Sequence, residues 1–194
     1  MFQMPTLMLL LCFSFVSIFH WSSSLAETPS TTSFVIKSCN STRYPKVCYD
    51  TLSPFARSIR ISHNLLLMTS LNATLFTANS TLTAMNMNIK GGRVGFQSLG
   101  ASEDCIELLQ DSMFELQISI HRLNGDSKDF NLLINDISTW VSSALTDQST
   151  CTEGLTSMDL KSASTFDIVR KLNYLYKMTS NSLALIVHYA EIHH

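Results

Sequence analysis

Glu103, Glu107 and Asp111 follow one another at four-residue intervals. That spacing stacks three carboxylates along one face of a helix. Paired carboxylates perform general acid–base chemistry only where a cleft drives their pKa values apart. Nothing around them in the sequence builds a cleft, so the expectation is a solvated acidic face that can serve as a binding surface. The histidines offer less. His188, Glu191, His193 and His194 could form a loose metal cluster, but a frayed polar C-terminus accounts for them better. No H-E-x-x-H, G-x-S-x-G, P-loop or G-x-G-x-x-G pattern occurs. Gly91-Gly92-Arg93-Val94-Gly95 reads as a turn, since no strand precedes it. No catalytic residue, metal or cofactor is expected. The methionines beyond the first eight residues fall on or beside apolar helix stripes and read as core filler.

The cysteines carry more information. Residues 1–26 hold no charged side chain, and an apolar run extends from Leu7 to Phe19, followed by Ser24-Leu25-Ala26. This is the pattern of a secretory signal peptide cleaved between Ala26 and Glu27. The run is short for a membrane span, and no later segment is apolar enough to supply one. Removing the leader removes Cys12 and leaves Cys39, Cys48, Cys105 and Cys151, an even set that implies disulfides in a secreted chain. Three pairings are possible. Economy favours Cys39 with Cys48, a local loop, and Cys105 with Cys151, joining two later segments. By loop-closure entropy these would stabilise by roughly 2.5 and about 4 kcal/mol, as upper estimates. Three N-glycosylation sequons, at Asn40, Asn72 and Asn79, fit the same compartment.

Helices must position these residues. With 45% hydrophobic and 14% charged residues the chain has enough apolar matter for one packed domain, spanning 27–194 after the leader. A net charge of −2 gives no basic footprint for nucleic acid, and no Lys/Arg cluster suggests an anionic membrane surface. Pro45 and Pro54 confine residues from about 33 to 57 to short pieces, read as a helical hairpin around Cys39 and Cys48. Four longer patterns occupy about 58–192. The first, about 59–89, has its stripe at Ile61, Leu65, Met68, Leu71, Leu75, Ala78, Leu82, Met85 and Ile89. The second, about 98–123, uses Ile106, Leu109, Met113, Leu116, Ile120 and Leu123. The third, about 129–145, uses Phe130, Leu133, Ile137, Trp140 and Ala144. The fourth, about 165–192, uses Val169, Leu172, Tyr176, Thr179, Leu183, Ile186 and Ala190. Steps of three and four mark one helix face each. Gly91-Gly92 and Asn124-Gly125 end the first two. Ser164 with Asp167 reads as a capping box for the fourth. The expected fold is all-α: an antiparallel up-down four-helix bundle preceded by a short disulfide-stapled N-terminal helical hairpin. The connection at 146–163 reads as a long loop, with Cys151 just after the third helix. That places Cys105 and Cys151 at the same end of the bundle.

Three stretches resemble one known family. Phe34-Val35-Ile36-Lys37-Ser38-Cys39-Asn40-Ser41-Thr42-Arg43-Tyr44-Pro45-Lys46-Val47-Cys48 resembles the N-terminal hairpin of the plant invertase and pectin methylesterase inhibitors. Asp104-Cys105 before an amphipathic helix looks like that family's third cysteine. The segment from Trp140-Val141-Ser142-Ser143-Ala144-Leu145-Thr146-Asp147 to Thr150-Cys151 looks like its fourth. The resemblance spans the mature chain and implies the pairings 39–48 and 105–151, a four-helix bundle and a helical hairpin. It also implies a secreted, non-catalytic cell-wall protein that caps an enzyme. The Trp140–Asp147 pattern points to the branch that inhibits pectin methylesterase by lying across its pectin-binding cleft, one to one. The acid invertase branch usually carries Pro-Lys-Phe before the third bundle helix, where this chain has Ser127-Lys128-Asp129-Phe130. Offsets from Cys105 and Cys151 carry over Glu107, Asp111, Thr150 and Glu153 as enzyme contacts, while a further family acid falls on Phe114. The competing readings are an acid invertase inhibitor, a wall-binding structural or signalling bundle marked by exposed aromatics along a groove, and the detached pro-region of a methylesterase.

Overall fold

The computed structural model describes residues 29–94, 96–125, 128–157 and 163–193, and among them there are helices and no strand. The signal-peptide reading and His194 lie outside the described residues. Helix α1 spans Pro29–Asn40 and α2 spans Pro45–Leu52. A 3₁₀ turn, Ser53–Phe55, and the single turn α3, Ala56–Ile59, lead to the four long helices: α4 His63–Lys90, α5 Phe96–Asn124, α6 Phe130–Thr156 and α7 Ala163–Glu191. Each long helix packs on two neighbours, α4 on α5 and α7, and α6 on α5 and α7. The bundle is therefore a square, with an α5–α6 edge opposite an α4–α7 edge. Among the described residues, no helix is long and apolar enough to cross a membrane.

Local chemistry sets the helix ends. Ser62 caps α4, its hydroxyl accepting from the Leu65 amide at 3.3 Å, and Asp129 caps α6, accepting from Leu132 at 3.0 Å. Gly92 adopts φ 63 after α4, a left-handed conformation that glycine reaches without a Cβ penalty. Ser164 falls inside α7, and its hydroxyl donates to the Arg93 carbonyl at 3.1 Å, so it ties α7 to the loop after α4.

The core has two apolar clusters. One, at the hairpin end, joins Val35, Leu52 and Ile59 to Leu67, Leu71, Ile137, Val141, Leu185 and Ile186. The other, at the far end, gathers Ala78, Met85, Leu109, Leu155, Leu172 and Leu175 around Cys105 and Cys151. Between them lies a polar layer. Gln148, fully buried, donates to Ser112 Oγ at 2.7 Å and accepts from Thr179 Oγ1 at 2.8 Å. Ser70 and Ser182 share a hydrogen bond at 2.7 Å, and Thr74 lies 3.3 Å from Ser182. Every long helix contributes to this layer, and every member is satisfied, as burial of polar groups demands.

Two sequence expectations need correction. Helix α6 does not stop at residue 145 but runs to Thr156, so Cys151 sits inside the helix and the 146–163 segment is mostly not a loop. Thr and Ser are weak helix formers, but Val141, Ala144, Gln148, Cys151 and Leu155 continue a 3-4-3-4 stripe into the core. The hydroxyls of Thr146, Thr150 and Thr152 bond back to carbonyls four residues earlier. The stripe of α4 is also displaced. Ile61 and Leu65 are exposed, and the buried line is Leu67, Ser70, Leu71, Thr74, Ala78, Thr81 and Met85. Hydroxyl residues fill the polar layer where an apolar pattern search passes over them.

The hairpin is bonded to the bundle. The Asn181 side chain, buried on α7, accepts from the Tyr44 amide at 3.0 Å and donates to the Tyr44 carbonyl at 2.9 Å. The Cys39–Cys48 disulfide joins α1 to α2. At the same end Phe34, His63, Phe130, Tyr189 and His193 form an aromatic cluster, with His193 4.3 Å from Tyr189 between ring centroids. Of the C-terminal histidines expected to fray, His193, though exposed, thus rests against the Tyr189 and Phe130 rings.

Candidate functional site

The second disulfide, Cys105–Cys151, ties the third turn of α5 to the last turns of α6, with the two Cα atoms 4.4 Å apart. Residues flanking it project outward. Glu103, Glu107 and Asp111 are all exposed on α5; Thr150 and Glu153 are exposed on α6, one and two residues from Cys151. Thr150 uses its hydroxyl on the Thr146 carbonyl, and Glu153 accepts from Ser149 Oγ at 3.1 Å. The bridge thus gathers the four expected partner contacts around one end of the α5–α6 edge. Phe114 continues the row from Glu107 and Asp111 and is 60% exposed, leaving an aromatic on the same face.

The acid row continues further than the sequence reading took it. A step of four residues advances a helix face by about 40°. The row from Glu103 through Glu107 and Asp111 therefore rolls toward α6 and delivers Glu115 into the seam. Glu115 is half-buried there beside Asp147 and Ser143 of α6. Its Oε2 is sealed from solvent and receives no hydrogen bond. Burial pushes the Glu115 carboxyl above its usual range, opposed by the Ser143 hydroxyl and reinforced by the neighbouring Asp147 and Asp111 charges. Asp147 is raised as well, by burial first and then by Asp111. The sequence signal was present, since Glu115 completes the four-residue spacing, but only the α6 extension shows which acid meets it.

Helices α5 and α6 carry eight Asp or Glu against one Lys or Arg, while α4 and α7 carry four Lys or Arg against two acids. The bundle is electrically two-sided. Asn72 and Asn79, both exposed, lie on α4, and Asn40 is exposed at the end of α1. Among the described residues no group of three His, Cys, Asp or Glu is disposed to hold a metal ion; His188 faces Glu191 at 3.5 Å and the His63 ring at 6.2 Å.

A disulfide-braced helical bundle that presents an acidic edge, with Glu103, Glu107, Asp111 and Glu153 in solvent, has the form of a small binding protein. The chain belongs to the plant invertase/pectin methylesterase inhibitor family, whose model matches residues 33–185. It is grouped with inhibitors and is not an enzyme. It is 36% identical over 173 residues to pectinesterase inhibitor 10 of Arabidopsis thaliana, covering 87% of this chain but 54% of that protein, so it spans about half that relative's length. With pectinesterase inhibitor 4 of the same plant it shares 31% identity over 183 residues, covering 90% of this chain and 92% of the other. A crystal structure of a mutant pectin methylesterase inhibitor from Arabidopsis superposes with a TM-score of 0.65 at 20% identity, covering 81% of this chain and 96% of that one. At that identity the likeness speaks to the fold.

Proposed function

We propose that this protein is secreted to the plant cell wall and inhibits pectin methylesterase there, by laying its α5–α6 edge across the enzyme's pectin-binding cleft in a one-to-one complex. The observation that carries the reading is the exposed acidic edge beside the Cys105–Cys151 bridge in a member of this family. Pectin that has lost its methyl esters is a polyanion, and a cleft that holds it suits an acidic inhibitor surface. Glu107, Asp111, Thr150 and Glu153 supply the polar contacts, and Phe114 supplies an aromatic anchor of the kind that dominates interface energies. Asn72 and Asn79 lie on α4, so glycans there leave the α5–α6 edge open.

The deciding experiment measures inhibition of purified pectin methylesterase and acid invertase side by side by the oxidised chain from residue 27. Loss of methylesterase activity alone, at equimolar inhibitor, is the expected result. Loss of invertase activity alone would move the protein to the sister activity. Glu107→Lys with Asp111→Lys is expected to weaken inhibition by about tenfold or more, with an unchanged helical circular dichroism signal. Full inhibition by that double variant would sink the assignment of the edge.

A further inference from the structure

The α4–α7 edge, opposite the proposed enzyme-binding face, carries a groove of ≈ 670 Å³ that continues into a second of the same size, sharing Phe76 and Tyr174. Phe76 is 75% exposed and Phe166 62% exposed, more than solvent-facing helix positions require of large aromatics. Along α7 the residues alternate in kind at steps of one turn: Phe166, Arg170, Tyr174, Lys177, with Lys171 beside them. Asp167 pairs with Arg170 at 2.6 Å and lies 3.9 Å from Lys171, so one acid stands against three cations. Lys177 also approaches the Tyr44 ring at 5.7 Å.

We propose that this groove binds a linear acidic polysaccharide, a de-esterified polyuronate. Aromatic faces two helical turns apart, with a cation one turn from each, suit a chain of flat sugar rings each bearing a carboxylate. A neutral apolar partner would leave the two positive charges in excess over Asp167 uncompensated, and an unmodified neutral glycan would use only the aromatics. The choice of uronate rests on the reading of the protein as a wall inhibitor. The groove lies away from the inhibitory edge, so the protein could hold the enzyme's product polymer and the enzyme at once.

The test is calorimetric titration of the secreted chain, with its native glycans and after their enzymatic removal, with a decameric oligogalacturonate, its fully methyl-esterified counterpart and polyglutamate. The acidic oligomer is expected to bind the native chain, more weakly as salt rises. Phe76→Ala with Tyr174→Ala, and separately Arg170→Glu with Lys171→Glu and Lys177→Glu, are each expected to weaken it by about tenfold or more. The esterified oligomer is expected to bind at least about tenfold more weakly than the acid. All five side chains are at the surface, and unchanged thermal unfolding verifies that the variants fold. No binding by the acidic oligomer overturns the proposal. So does equal binding of polyglutamate with no loss in the aromatic variant, which would mean charge attraction alone. Binding seen only after glycan removal would make the protein's own glycan the occupant, and also overturns it. A mass that grows with concentration and collapses in the charge variant would put the acidic edge of a second copy in the groove, against the proposal. Methylesterase inhibition measured on the same variants is expected to be unchanged. Oligomer binding without inhibition would remove the inhibitor reading alone, and inhibition without oligomer binding would remove this one alone.

Discussion

Gln148 holds three helices with one amide. Its donation to Ser112 and acceptance from Thr179 bridge α6 to α5 and α7. Gln148→Ala takes the amide donor from the buried Ser112 hydroxyl, leaves Thr179 its bond to the Leu175 carbonyl, and opens a cavity, at a cost of about 3 kcal/mol. Urea unfolding checks this, and a loss under about 1 kcal/mol would mean the layer is not structural. A hydrophobic pattern search skips this residue because it is polar, and no spacing rule recovers it until α6 is known to continue past it. Glu115 was legible by contrast, as the fourth member of an acid row, but its burial depends on the roll of that row into the seam. Because folding raises the Glu115 and Asp147 pKa values, the native state binds more protons than the unfolded chain within that window. Their contribution to stability is complete below the ordinary carboxylate pKa and is lost as pH rises through the raised values. His63, lowered by burial first and by His188 and His193, works with the opposite sign: its contribution is complete above about pH 6.5 and is lost as pH falls. Glu115→Gln mimics the protonated acid and can donate to Asp147. Its thermal midpoint is expected to match the parent near pH 4 and to exceed it increasingly toward neutrality. A gap that does not vary with pH would refute the carboxyl pair.

At the level of elements, helix number and order could be read from three-and-four spacing, because four apolar stripes of that length leave no other economical burial. The N-terminal hairpin could be read from Pro45, Pro54 and the close cysteines. Three features could not. The face of α4 was misplaced because Ser70, Thr74 and Thr81 occupy core positions, and the end of α6 was misplaced because Thr-rich composition argues against helix while tertiary burial overrides propensity. The seating of the hairpin was also invisible, since it depends on Asn181 reaching the Tyr44 backbone from a position 137 residues away. Asn181→Ala removes both hydrogen bonds and is expected to cost about 2 kcal/mol. Limited proteolysis is expected to cut first within residues 29–59, with the bundle intact. Cleavage that starts in the bundle would mean the clamp is not what seats the hairpin.

For the whole molecule, the sequence carried the charge total but not its partition. A net charge of −2 conceals an acidic α5–α6 edge and a basic α4–α7 edge, and only the cyclic order of the helices sets them apart. The polar layer adds a second division, across the bundle. Each half has its own apolar cluster, and Cys39–Cys48 belongs to one as Cys105–Cys151 belongs to the other. Amide hydrogen exchange should therefore resolve two opening units. Replacing Cys105 and Cys151 with serine is expected to speed exchange in α5 before Ser112 and in α6 after Gln148, while 116–124 of α5 and 134–144 of α6 keep their protection. A uniform acceleration along both helices would count against two units. Glu107, Asp111 and Glu153 all lie in the half beyond the layer, so the proposed contact surface can loosen and close again while the hairpin half stays folded.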